Sequence, residues 1–193
     1  MLRNVCVLVM IAFIGIGSLS AQSPAPPTQP LASPAEPRAP QINPAKAIDA
    51  LWNYAGTWKI EIEKFDTPYS KAGKEVTSLL NDCWRSGQYI ACRQIVDGDP
   101  KVLIVFTCAR PDHSCTSYQI PTDGGDPGSG TVLVEGDTWT FPWQTTDAGK
   151  TTYFRVVNVW SNPETIDYRQ EFSTDKEHWT RMATGHEVKS SSK

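Results

Sequence analysis

Gly56-Thr57-Trp58-Lys59-Ile60-Glu61-Ile62-Glu63 places an apolar residue at every second position from Trp58, with Lys59, Glu61 and Glu63 between them. Side chains alternate between the two faces of a strand, so this period of two predicts a half-buried β-strand. Just upstream the period is different. Asn43 followed by Pro44 offers an N-cap and a proline at the first helical position, and 45–54 reads as a short helix ending before Gly56. Ile48, Leu51 and Trp52 are expected on one face of it, packed against or plugging the structure that follows.

Downstream, similar runs occur at about 75–84, 88–96, 101–109, 115–120, 130–135, 138–144, 151–160, 165–173 and 179–188, making ten strands with the first. Turn chemistry separates nearly all of them, as in Asp97-Gly98-Asp99-Pro100, Asp123-Gly124-Gly125-Asp126-Pro127-Gly128, Glu135-Gly136-Asp137, Asp147-Ala148-Gly149 and Ser161-Asn162-Pro163. These connections are too short for crossover helices, so sequential strands must be antiparallel neighbours. An up-and-down meander of this length with one apolar face closes into a barrel and removes its edges. A two-sheet sandwich is the rival architecture.

The cysteines agree with hairpins. Past Cys6 the chain carries Cys83, Cys92, Cys108 and Cys115, and an even count in an exported chain favours two disulfides. Adjacent pairs bracket turns, at Ser86-Gly87-Gln88 and at Arg110-Pro111-Asp112-His113. If Gly87-Gln88 is a two-residue turn, Cys83 faces Cys92 directly. Each short bridge is expected to contribute roughly 2 to 3 kcal/mol.

Export follows from the N-terminus. Arg3, an apolar stretch from Val5 to Gly17 and the small residues up to Ala21 form a secretory signal over 1–21, whose apolar stretch is shorter than the roughly 18 to 20 residues that cross a bilayer. Residues 22–44 are proline-rich and read as a disordered linker, leaving 45–193 as one domain. The location expected is extracytoplasmic, secreted or periplasmic, with no stable membrane insertion after cleavage. The chain has 18 basic and 21 acidic residues without a basic stripe, which argues against nucleic acid as a partner. No Cys or His spacing matches a structural zinc site, and no cofactor motif is present. Oligomeric state is left open.

Gly56-Thr57-Trp58, opening the first strand after a short helix, resembles the Gly-x-Trp signature of lipocalins and other calycins. The stretch from about Cys92 onward, with Val134-Glu135-Gly136-Asp137-Thr138-Trp139, Tyr168-Arg169-Gln170-Glu171-Phe172-Ser173 and Trp179, is similar to an uncharacterised family of secreted bacterial lipocalin-like proteins. The resemblance implies that Trp58 closes one barrel end and that an Arg on the last strand, Arg181, packs across its ring. Disulfides internal to hairpins depart from the usual lipocalin pattern, in which a terminus is tied to the barrel.

A barrel of this strand number can enclose a small, largely hydrophobic ligand. Trp139, Phe141 and Trp143 share one strand face, and Tyr153 shares another with Val157 and Val159. Arg93 and Arg155 lie on otherwise apolar faces, where an inward guanidinium could hold a ligand carboxylate and an outward one would not. The alternative function is a non-enzymatic envelope interaction or scaffold module with a filled barrel, using its loops, above all 123–130. Catalysis is not expected: no Gly-x-Ser-x-Gly elbow, His-Glu-x-x-His helix or phosphate-binding loop occurs.

Overall fold

Trp58, Ile60 and Ile62 are buried and Lys59, Glu61 and Glu63 are exposed, so the first strand has the alternation its sequence demands. The computed structural model describes residues 44–108 and 114–190. A helix α1 (Pro44–Leu51) runs into a 3-10 turn (Trp52–Tyr54) and then into β1 (Gly56–Lys64), β2 (Gly73–Ser86), β3 (Tyr89–Val96), β4 (Asp99–Thr107) and β5 (Cys115–Pro121). After these come β6 (Gly128–Glu135), β7 (Thr138–Asp147), β8 (Lys150–Asn162), β9 (Thr165–Ser173) and β10 (Thr180–Lys189).

Each strand pairs with its sequence neighbours, and β10 pairs with β1, so the meander is a closed barrel rather than a sandwich. Closure leaves no free edge to template aggregation. The β1–β10 seam runs in antiparallel register from Trp58 opposite Lys189 to Lys64 opposite Ala183. Register shifts interrupt β10 between Arg181 and Ala183, and β8 between Trp160 and Asn162. Such irregularities bend strands and let a sheet curl.

Both disulfides form as hairpin staples, Cys83–Cys92 and Cys108–Cys115, with Cα atoms 4.0 Å apart in each. In the first hairpin Ser86 faces Tyr89, Arg85 faces Ile90, Trp84 faces Ala91 and Cys83 faces Cys92. Gly87 takes a positive φ of 56° to make that two-residue turn. The second turn, at Arg110-Pro111-Asp112-His113, lies outside the described residues, as do the expected leader 1–21 and residues 22–43 of the linker. Pro44 opens α1 instead of ending the linker.

α1 plugs one barrel end, although with a different face from the one expected. Ala47, Ile48, Leu51 and Tyr54 are buried, whereas Trp52 is 42% exposed. The helix tightens after Leu51 into a 3-10 turn, where residues three apart eclipse, so Tyr54 rather than Trp52 continues the buried stripe. Arg85 Nη1 donates to Asp49 Oδ1 at 2.6 Å, tying α1 to the end of β2. Among the described residues no helix is long and apolar enough to cross a membrane.

Candidate functional site

The plugged end is a polar layer built around Tyr54. Its backbone carbonyl accepts from Trp58 Nε1 at 2.9 Å and from Asn81 Nδ2 at 3.1 Å. Gln94 Nε2 donates in turn to Asn81 Oδ1 at 2.9 Å, and Asn158 Nδ2 donates to the Tyr54 hydroxyl at 2.9 Å. The Tyr54 ring meets Trp160 and Trp139 edge-on, with centroids 4.8 and 6.2 Å apart. Burial pushes the Tyr54 hydroxyl well above its ordinary range. Glu187 is buried beside it, and burial pushes its carboxyl up to about 8.

Trp58 sits at this end, fully buried. The cation across its ring is Lys189, with Nζ 5.2 Å from the centroid and donating to the Asn53 carbonyl at 3.0 Å. Arg181 does not take that place: it opens β10 at the opposite end of the barrel, exposed and opposite Glu171. The two barrel ends correspond to the two ends of β10, and only the last residues of the strand lie level with the start of β1.

The other end is aromatic, and its ring residues Trp143 and Phe172 are only partly buried. Trp139, Phe141 and Trp143 face inward, opposite Asn158, Val156 and Phe154 of β8. Trp143 stacks on Phe154 at 5.3 Å with an interplanar angle of 11°. The β1–β2 connection then folds across the mouth and brings Tyr69 edge-on to Phe154 at 5.1 Å and to Phe172 at 4.8 Å. Its hydroxyl is 3.2 Å from Thr152 Oγ1. Ser70 anchors this loop, donating from Oγ to the Phe65 carbonyl at 2.7 Å. Lys64 and Glu75, also inward, pair at 2.6 Å at the rim.

Three of the ligand candidates point away from the lumen. Arg93 is exposed and paired with Asp82 at 2.6 Å on the outer face of β2 and β3. Arg155 and Tyr153 alternate with the inward residues Phe154 and Val156, so they too are outward. Arg155 Nε donates to Glu171 Oε2 at 2.7 Å, and Arg169 Nε lies 3.2 Å from Glu171 Oε1. The loop 174–179 folds back over them. Trp179 stacks on the Arg155 guanidinium at 3.9 Å, and Lys176 Nζ lies 4.4 Å from the Tyr153 ring centroid. That loop is knotted by Asp175, whose carboxylate accepts from the backbone of Glu177 and His178 and from Ser173 Oγ. Those donors hold its carboxyl well below the usual range.

The lumen also holds polar groups that no sequence motif announced. Five buried side-chain oxygens have no hydrogen-bond partner among the described residues: Glu75 Oε1, Gln94 Oε1, Gln119 Oε1, Asn158 Oδ1 and Glu187 Oε1. All five are acceptors on inward positions of their strands. The signal was the alternation itself, since Glu187 is in phase with Ala183 and Gly185, and Asn158 with Phe154 and Val156. Among the described residues no group of three or more His, Cys, Asp or Glu is placed to hold a metal.

No family model matches the chain, and no curated protein does. Among solved structures it is similar to Rv2717c from M. tuberculosis, at 13% identity over 75% of this chain and 97% of that one, with a TM-score of 0.44. It is also similar to the S-type phycobiliprotein lyase CPES from Guillardia theta, at 10% identity over 79% of this chain and 95% of that one, with a TM-score of 0.46. At these values neither ligand nor chemistry carries over.

Proposed function

We propose that this chain is an exported, lipocalin-like carrier that takes a small, largely hydrophobic molecule into the aromatic end of its barrel, without catalysis. The observation that supports this most is the asymmetry of the lumen. One end is filled by α1 and Tyr54, whereas the inward aromatics Trp143 and Phe172 at the other end remain partly exposed beneath a single loop. A solid core would bury them, because aromatic area left in water forfeits the largest stabilisation these residues can supply. Rings on three neighbouring strands, Trp143, Phe154 and Phe172, with the Tyr69 ring from a loop above, form an apolar surface of the kind that lines small-ligand sites. Two disulfides are consistent with an oxidising compartment.

The test is a titration of the purified protein with an environment-sensitive hydrophobic dye, followed by displacement with aliphatic alcohols. Trp143→Ala is expected to weaken dye binding about ten-fold, since it removes one wall of the stack. Saturable binding that Trp143→Ala leaves unchanged would place the dye elsewhere and refute the site.

A second reading has its own support. On the outer face of β2 to β5, Trp84, Tyr118 and Ile120 are each nearly half exposed, and the register aligns Trp84, Ala91, Val105 and Tyr118 in one row. Exposed apolar rows of this kind mark interaction surfaces. Sedimentation equilibrium of the wild type against Tyr118→Ser checks it: concentration-dependent association lost in the variant favours the interaction module.

A further inference from the structure

Ahead of α1 the chain repeats proline at every third position, at Pro34, Pro37 and Pro40 and before them at Pro24, Pro27 and Pro30. A polyproline II helix has three residues per turn and rises about 3.1 Å per residue, so each triplet lines one edge of such a helix over about 19 Å. Between Pro34 and Pro40 stand only Ala35, Glu36, Arg38 and Ala39, none of which sets a bulky apolar side chain beside that edge. Such a helix makes no hydrogen bonds within itself, and its carbonyls are open to donors on a partner surface.

The barrel has a surface of the matching kind. On the outer face of β2 to β5, Trp84, Ala91, Val105 and Tyr118 form one row across the strands. With about 4.8 Å between neighbouring strands, the row is about 14 Å long. Ala91 is buried and Val105 half-buried, whereas the terminal rings are 47% and 46% exposed, so Trp84 and Tyr118 carry most of the apolar area the row shows to water. Neither the Trp84 indole N–H nor the Tyr118 hydroxyl is bonded to another described residue. An exposed ring beside an uncommitted donor is the combination by which proline-rich segments are recognised: the ring packs on the pyrrolidine and the donor takes a carbonyl.

The two features lie within reach of each other. Trp84 adjoins Arg85, whose guanidinium holds Asp49 of α1 at 2.6 Å. From Asp49 back to Pro44, where α1 begins, is about 8 Å along the helix axis. The four residues from Pro40 to Pro44 extend over up to about 13 Å, which is enough to bring Pro40 to Trp84 without disturbing the barrel.

We propose that residues 34–40 dock as a polyproline II segment across the Trp84–Tyr118 row of their own barrel, with Pro40 at Trp84, Pro37 over Val105 and Pro34 at Tyr118. The Trp84 N–H and the Tyr118 O–H then donate to backbone carbonyls of the segment. Pro24, Pro27 and Pro30 have the same period but join the barrel through ten more residues, so the local concentration of the nearer triplet at the row is higher. The docked segment shields the row that the second reading above gives to a partner, and it is independent of whether the barrel carries a ligand.

The experiment uses the exported protein with its proline-rich segment intact, labelled with 15N and carrying a nitroxide at Ala35→Cys. The Tyr118 and Ile120 amide signals are expected to lose most of their intensity relative to the reduced label, whereas Val159, outward on β8 across the barrel, keeps its own. Pro34→Ser with Pro37→Ser and Pro40→Ser should restore those signals, and so should Tyr118→Ser, read at Ile120. Neither change removes a buried residue, so the barrel stays folded. The triple substitution Pro24→Ser, Pro27→Ser and Pro30→Ser should leave the broadening in place. Broadening that is equal at Val159 and Ile120, or that survives the substitutions at Pro34, Pro37 and Pro40, overturns the docking. Broadening that also appears when nitroxide-bearing 14N protein is mixed with unmodified 15N protein overturns the intramolecular assignment and gives the row to a second copy.

Discussion

Glu187→Gln makes a stability prediction that needs no ligand. The folded carboxyl titrates at about 8 because burial disfavours its charged form, whereas a carboxyl in the unfolded chain titrates near 4.5. Below the unfolded value both states hold the proton and the group costs nothing. As pH rises past it, the unfolded chain releases its proton and the folded one does not, so stability is lost until the folded value is reached. At a slope of about 1.4 kcal/mol per pH unit, the loss reaches about 3 kcal/mol at pH 7. Gln fills the same space and stays neutral throughout. Urea denaturation with both disulfides intact is the assay, at pH 5, 6, 7 and 8. The wild type and Glu187→Gln should be close at pH 5 and diverge steadily, the variant gaining about 1 to 2 M in midpoint by pH 7 at a typical slope. The depressed carboxyls of Asp97 and Asp175 titrate below this window and do not contribute to the divergence. Curves that remain parallel across pH 5 to 8 would refute the argument from burial.

Three further predictions rest on packing and covalent structure. A Cβ at Gly185 would lie 2.0 Å from Tyr168 Cε1, so Gly185→Ala should destabilise by about 3 kcal/mol and lower Tm by roughly 10 °C, whereas in a Tyr168→Ala background, itself destabilised by loss of the buried ring, the same change should cost almost nothing; calorimetry of the single and double variants checks this. Cys83→Ala with Cys92→Ala should cost about 2 to 3 kcal/mol in denaturant midpoint without changing the far-ultraviolet circular dichroism, because the β2–β3 register is also set by its two-residue turn. Trp179→Ala should cost about 1 kcal/mol and expose the Arg155–Glu171 pair to salt, read as a stability that now falls between low and high ionic strength.

Particular residues show what was legible in the sequence. The strands were, because period two and Gly- or Asp-centred turns are local signals; Cys83 opposite Cys92 follows from Gly87-Gln88 alone. Trp139, Phe141 and Trp143 were legible as one face, and the barrel turns that face inward. The side taken by Arg155 was not, because its neighbour Val157 is buried although it points outward with Arg155, which leaves both faces of β8 apolar. Neither was the exchange of Arg181 for Lys189, since only the β1–β10 register says which end of the last strand meets Trp58. Trp52 misled because the pattern assumes an α-helix where the chain tightens. Tyr69 had no local signal at all: its partners Phe154 and Phe172 are brought to it by barrel closure.

The carrier reading is tested most directly by native mass spectrometry of the purified protein after incubation with 1-decanol or decylamine, with Tyr69→Ala and Trp143→Ala alongside. The account predicts a saturable one-to-one complex with the wild type, weakened by Trp143→Ala and exchanging faster with Tyr69→Ala. A wild-type protein that stays unliganded with both compounds, or a complex indifferent to both substitutions, would contradict it.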